Sequence, residues 1–273
     1  MDFPPPSFVT VDGRRMAYDE VTPPHPKGVV LLLTGLAAKR LGWYKQREVF
    51  GREYRTIALD HRDTGDSDLA TGPYTTADQA DDAAAVLHAL GIQRAAVAGI
   101  SMGGFIAQEL ALRHPELVEK LVLVSTSAGG PGYTPPEPDV LARLMQPHTG
   151  DLGDLARESY TRIMAPGYAA SHPDVMDRIV ATARYRPQSQ EAYLRQLQAG
   201  WNRDATARLR DLHLPVLVVH GTADPLIPVQ NGRYLAAHIP GARLIEYPNT
   251  GHIPIVERAD DFNRDVLAFL AEG

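Results

Sequence analysis

The chain has 273 residues, 44% of them hydrophobic and 22% charged, the balance of a globular domain long enough for one sizeable core. A formal net charge of −6, with arginines interleaved among acids, excludes the basic face that a nucleic-acid partner needs. There is no cysteine, which removes disulfides, thiolate metal sites and cysteine nucleophiles.

The first residues, MDFPPPSFVTVDG, lack the basic start and apolar run of a secretion signal. The longest apolar stretch, near 29–33, is far too short to span a bilayer. A cytoplasmic location with no membrane partner is therefore expected. Short runs rich in Val, Ile and Leu then recur at SFVTV, RMAYDEV, GVVLLLTG, YRTIALD, RAAVAGI, EKLVLVSTS, LPVLVVHG and ARLIEYPN, predicting strands. The middle runs show little polar alternation, as strands covered on both faces do. Helical periodicity falls between them, at TADQADDAAAVLHALG, MGGFIAQELALRHP, VQNGRYLAAHI and ADDFNRDVLAFLAEG. Thr76 is placed at the cap of the first helix and Gly91 at its stop. Strand–helix alternation of this kind predicts an α/β fold, a mostly parallel sheet with helices on both sides.

The rhythm breaks near residue 128. From AGGPGYTPPEPDV to about Asp204 there is no convincing strand, only a Pro/Gly-rich entry and helical patterns. LPVLVVHG then resumes the sheet. The expected organisation is a core of residues 1–129 and 205–273 with a helical cap, 130–204, inserted over the strand carboxyl ends, where open α/β sheets bind ligands. The cap is expected to supply the substrate pocket and none of the catalytic groups.

Gly99-Ile100-Ser101-Met102-Gly103 follows one predicted strand and opens a predicted helix. This is the context of a nucleophile elbow, in which a serine at unusual φ/ψ projects its hydroxyl above the sheet. Such a serine needs a base, normally a histidine oriented by a carboxylate. Of ten histidines, His88, His114 and His238 lie in helical patterns, while His25, His61, His148, His172 and His213 lie in polar or proline-rich stretches. His220 ends an apolar strand, as a satisfied core residue does. His252 sits in PNTGHIPIVE, a loop after the last predicted strand, where a rigid sheet displays catalytic groups. The loop after the preceding core strand offers Asp224 in HGTADPLIP. An aspartate there also suits an ordinary turn, and Asp204 and Asp211 remain as alternative acids. The chain order Ser101, Asp224, His252 is that of the α/β-hydrolase triad. By position, the amides of Leu36 and Met102 are the oxyanion donors.

GISMGG, DHRDTGDSD, HGTADPLIP and GHIPIVE, with the FNRDVLAFL helix that follows, together resemble the α/β-hydrolase fold superfamily over essentially the full length. DHRDTGDSD with GISMGG is most similar to the aclacinomycin methylesterase-like group, and GISMGG with ALRHPELVEKLVLVST to enol-lactonases. The resemblance implies an eight-stranded sheet with an inserted helical cap, and cleavage of ester or lactone bonds without a cofactor. It places the triad on Ser101, Asp224 and His252 and the oxyanion amides on Leu36 and Met102. Many relatives carry His-Gly where this chain has Thr34-Gly35, so the detail of the oxyanion loop is expected to differ. Asp60, His61, Arg62 and Asp63 are read as braces between loops rather than substrate contacts.

No His/Cys/Asp cluster has metal-ligand spacing and no glycine-rich phosphate loop is present, so neither metal nor nucleotide is expected. Cap residues Tyr133, Tyr160, Met164 and Trp201 are the candidate substrate contacts, among further aromatics that include Tyr168, Tyr185 and Tyr193. The expected partner is a small to medium, largely apolar ester or lactone. Carbon–carbon bond hydrolysis, perhydrolysis and acyl transfer to an alcohol use the same triad, and a hydrolase-like ligand receptor is the non-enzymatic alternative.

Overall fold

All eight predicted runs form strands: β1 (Ser7–Val11), β2 (Arg14–Val21), β3 (Val29–Leu33), β4 (Arg55–Leu59), β5 (Ala95–Ile100), β6 (Val118–Val124), β7 (Val216–Gly221) and β8 (Arg243–Tyr247). The structure, a computed structural model, describes residues 3–146 and 150–272, so His148 lies outside it. One sheet runs β1-β2-β4-β3-β5-β6-β7-β8. β2 is antiparallel to both its neighbours, and every pair from β4 to β8 is parallel. Parallel order brings the carboxyl ends of β3, β5, β6, β7 and β8 to one edge. Leu36, Ser101, Asp224 and His252 each follow a strand that ends at that edge.

The inner strands read as continuous apolar runs because alternate residues serve two different cores. Leu31 and Leu33, Leu121 and Leu123, and Val216 and Val218 face one core. Val30 and Leu32, Val122 and Val124, and Leu217 and Val219 face the other. Each such buried side chain contributes about 1.5–3 kcal/mol relative to exposure, and a polar residue such as His220 of β7 is buried only with a hydrogen-bond partner. The first core is closed by α2 (Thr76–Ala89), α3 (Met102–Arg113) and α9 (Val229–His238), through residues such as Leu87, Leu110 and Leu235. The second is closed by α1 (Tyr44–Phe50), α10 (Pro254–Glu257) and α11 (Ala259–Ala271), with Phe50, Ile255, Phe262 and Phe269.

One local reading needs correction, and one helix was not foreseen. The N-cap of α2 is Thr75, not Thr76, because Asp78 stands three residues on and completes a reciprocal capping box. Gly91 stops the helix as expected, at φ +69°. Helix α1 has no counterpart in the sequence reading. It is seven residues long, has no side-chain cap and buries only Gln46 and Phe50, too little for a periodic signal.

The excursion between β6 and β7 is helical throughout its regular elements: α4 (Pro138–Leu144), α5 (Leu152–Ile163), α6 (Tyr168–Ser171), α7 (Pro173–Arg184) and α8 (Gln190–Trp201). Its two ends meet at an isolated bridge between Gly129 and Asp204, and the Ala205 N–H donates to the Ala128 carbonyl at 2.9 Å. Val175 and Met176 of α7 join the second core, so the insert is welded to the sheet by packing. Among the described residues no helix is long and apolar enough to cross a membrane.

Candidate active site

Ser101 links β5 to α3 at φ 55° and ψ −123°, a conformation that costs a non-glycine residue on the order of 1–3 kcal/mol. The surrounding glycines make the corner possible. A Cβ on Gly99 would lie 2.2 Å from the Gly103 carbonyl oxygen, and one on Gly103 would lie 2.2 Å from that of Leu33. Neither backbone can yield. The corner is also tied down, since the Ser101 N–H donates to Val124 O at 2.9 Å and Thr126 Oγ1 donates to Ser101 O at 2.7 Å.

The loop after β3 runs against the serine. A Cβ on Gly35 would stand 3.2 Å from Ser101 Cβ and 3.6 Å from its Oγ. Next to it, among the described residues, none accepts a hydrogen bond from the Leu36 N–H. Met102 is the first residue of α3, so its N–H has no partner inside the helix and shares the positive end of the helix dipole. Thr34, in the place of the family histidine, is buried and turns its Oγ1 back to the Ala38 carbonyl at 3.2 Å.

His252 and Asp224 meet at the ends of neighbouring strands β8 and β7. His252 Nδ1 lies 2.8 Å from Asp224 Oδ2, and both side chains are buried. The other carboxylate oxygen accepts from the Leu226 and Ile227 amides, each at 2.9 Å. Burial alone raises the Asp224 pKa, but the His252 charge and hydrogen bonds from His220 and His252 outweigh it and hold the carboxyl below its usual range. An ionised carboxylate only accepts, so Nδ1 carries the proton and Nε2 is left for chemistry. The cap pins this loop: the His252 N–H donates to Ile163 O at 2.7 Å.

The cap candidates scatter. Tyr133 is 38% exposed, its hydroxyl pKa raised by burial and by the nearby charge of Asp224. Tyr160 is half-buried against the second core. Met164 is buried and, with Asp224, Thr222 and Pro225, borders a cavity of about 500 Å³. Trp201 ends α8 with 57% of its surface exposed. Three other cap tyrosines act as struts: Tyr168 donates to Val256 O, Tyr185 to Asp66 Oδ2 and Tyr193 to Leu144 O.

The acidic loop after β4 also braces. Asp60 pairs with the wholly buried Arg40, which holds Asp19 and Asp66 as well. Arg62 grips Asp82 with two nitrogens. Asp63 receives both Nε and Nη2 of Arg195 from α8, at 3.0 and 2.8 Å. His61 is buried, hydrogen-bonded to the Thr34 backbone, with its pKa pushed down to about 4, burial being the larger cause. Among the described residues no group of three or more His, Asp or Glu side chains is placed to hold a metal ion.

The profile of the alpha/beta hydrolase fold family matches residues 28–259. The chain belongs to this family. RutD of Caulobacter sp. (strain K31), to which a carbamate hydrolase activity is ascribed, is 31% identical over 96% of this chain and 97% of its own. The 3-oxoadipate enol-lactonase 2 of Acinetobacter baylyi is 30% identical over 84% of this chain and 83% of its own. The crystal structure of the enol-lactonase from Burkholderia xenovorans LB400 superposes with a TM-score of 0.86 at 28% identity, covering 97% of this chain and all of that one. This α/β-hydrolase holds two residues that the sequence did not single out as part of the site. His220 Nε2 lies 2.7 Å from Ile227 O and 3.5 Å from Asp224 Oδ2. Gln196 of α8 reaches the loop that carries Leu36. Gln196 had a signal: it lies on the buried stripe of α8 with Ala192, Tyr193 and Ala199, a polar residue on an apolar face.

Proposed function

We propose that this α/β-hydrolase is a cofactor-independent serine hydrolase that cleaves a carboxylic ester or lactone through an acyl-enzyme. The observation that carries the reading is the 2.8 Å contact of His252 Nδ1 with Asp224 Oδ2, at the same sheet edge as the strained Ser101 corner. In the proposed cycle Ser101 Oγ attacks the carbonyl carbon while His252 Nε2 takes its proton. The developing oxyanion is met by the Leu36 and Met102 N–H groups. His252 then protonates the departing alkoxide, leaving the acyl group on Ser101. Water attacks next, its proton passing to His252, and the collapse returns the proton to Ser101 and frees the acid. For a lactone the alcohol stays tethered to the acyl group, and the product leaves as a single hydroxy acid.

We assign the cap to 130–204 and the core to 1–129 and 205–273, the junction falling where Gly129 and Asp204 bridge. The enol-lactonase names among its relatives favour lactones as well as esters, and all the ascribed reactions of these relatives attack a carbonyl. We propose a small to medium, largely apolar substrate: of the four cap candidates Met164 borders the cavity beside Asp224 and Tyr133 stands near that carboxylate, whereas Tyr160 packs on the second core and Trp201 is exposed. The test is labelling by a fluorophosphonate, followed by a panel of p-nitrophenyl esters, methyl esters and lactones. Ser101→Ala is expected to abolish both labelling and turnover with the fold intact. Labelling that persists in Ser101→Ala, on Ser125 or Ser67, overturns the assignment.

A further inference from the structure

Arg195 and Gln196 stand side by side on the cap helix α8, and both reach into the core. Arg195 takes Asp63, as described. Gln196 is wholly buried, and its Oε1 accepts the Ala37 N–H at 2.9 Å and Gln188 Nε2–H at 3.2 Å. A backbone N–H only donates, so the atom facing it is the amide oxygen and the orientation of Gln196 is fixed. Its Nε2 meanwhile has no partner among the described residues. Burying a glutamine costs amide desolvation that an apolar residue of the same length avoids, so the hydrogen bonds accepted by its oxygen, rather than packing, distinguish it here.

The residue it holds is unusual. Ala37 has φ +58°, a left-handed conformation that costs a residue with a Cβ roughly 1–2 kcal/mol. Ala37 directly follows Leu36, and Gly35 lies against Ser101. The turn closes on itself through Ala38 N–H to Gly35 O at 3.2 Å and Thr34 Oγ1 to Ala38 O at 3.2 Å. Gln196 grips the turn from outside, at the peptide joining Leu36 to Ala37. Pinning that peptide plane limits how Leu36 can rotate.

We infer that Gln196 is a positioning residue for the oxyanion hole: by holding Ala37 in its left-handed conformation, it aims the Leu36 N–H at Ser101. The inference rests on the roles proposed above for Ser101 and Leu36. It makes the cap a participant in assembling the catalytic centre, beyond shaping a pocket. A cap that shifts away from the sheet withdraws the Gln196 oxygen, releases Ala37 and leaves the hole with one oriented donor.

The test reads the hole without a known substrate, because phosphonylation of Ser101 also develops charge on an oxygen held by these amides. The rate constant for fluorophosphonate labelling is measured alongside Tm for the full chain and three variants. Gln196→Met keeps length but loses the acceptor, and is expected to slow labelling about 10- to 100-fold. Gln196→Glu keeps an acceptor and is expected to recover most of the rate. Tyr185→Phe removes the cap strut to Asp66 without touching Ala37, and is expected to lower Tm while labelling at the wild-type rate. On any ester found to turn over, the Gln196→Met loss should fall on kcat and leave KM nearly unchanged. Should Gln196→Met not fold, Gln196→Asn, whose oxygen falls one methylene short, takes its place. Labelling of the Gln196 variant at the wild-type rate, or slowing no greater than in Tyr185→Phe, overturns the inference. Absence of wild-type labelling at Ser101 overturns the proposed function itself and is read before any variant is compared.

Discussion

His252 and Asp224 are 28 residues apart in the chain, yet Nδ1 and Oδ2 lie 2.8 Å apart because parallel pairing of β7 with β8 ends both strands at the same edge. Every oxygen of Asp224 is engaged: two amides on Oδ1, one imidazole on Oδ2 and His220 beside it. A carboxylate so fixed can hold His252 in one tautomer. Asp224→Asn is therefore expected to lower kcat by on the order of 10³- to 10⁴-fold, while His252→Ala loses nearly as much as Ser101→Ala. Combining any two of the three should cost little more than the worse single change. Steady-state rates on the best ester of the panel decide it; a neutral Asp224→Asn would transfer the role to another acid.

The Ser101 corner should fail sterically before it fails chemically. Gly99→Ala places a methyl 2.2 Å from the Gly103 carbonyl oxygen, inside a backbone contact that no side-chain rotation relieves. The expected outcome is a fall in stability of several kcal/mol, on the scale of severe overpacking, and loss of fluorophosphonate labelling even in protein that remains folded. Urea denaturation and labelling of the same sample check both parts. Normal labelling would mean that the corner relaxes without moving Ser101.

Lys39 supplies a pH-dependent prediction. It is 4% exposed, and among the described residues no carboxylate lies within ion-pair distance of its ammonium. Burial draws its pKa down to about 8, partly offset by the charges of Asp60 and Asp66. Because the folded pKa lies below the unfolded one, the ammonium is a full penalty below about pH 8, on the order of 3 kcal/mol. Between about 8 and 10.5 the unfolded chain holds a proton that the folded chain has lost, so stability from this group rises with pH. Lys39→Met is expected to stabilise the protein at pH 7 and to lose that advantage as pH approaches 10.5. Denaturation curves of both proteins at pH 7, 9 and 10.5 test it; an equal difference at all three values contradicts the mechanism.

The sequence by itself determined the features that depend on local periodicity and on short motifs. Each inner strand had to be apolar on both faces, so Leu31 and Leu32 announce a covered sheet without any coordinates. Strand, glycine, serine, glycine and helix in succession announce the corner at Ser101, because only that conformation demands glycine on both sides. The order Ser101, Asp224, His252 follows from the same local signals. What it left open depends on contacts between residues far apart in the chain. Helix α1 and the one-residue shift of the α2 cap escaped because their signals are a few residues long. The cap aromatics could not be sorted by type, since Tyr185 and Tyr193 look like pocket residues until their hydroxyls are seen on Asp66 and Leu144. Gln196 and Ala37 are 159 positions apart, and no periodicity connects them. Their contact exists because the insert folds back over the sheet edge and packs there, a consequence of burying Val175, Met176 and Met164 against the core. Local pattern fixes which residues want to be inside, whereas only the closed fold decides which buried polar groups meet.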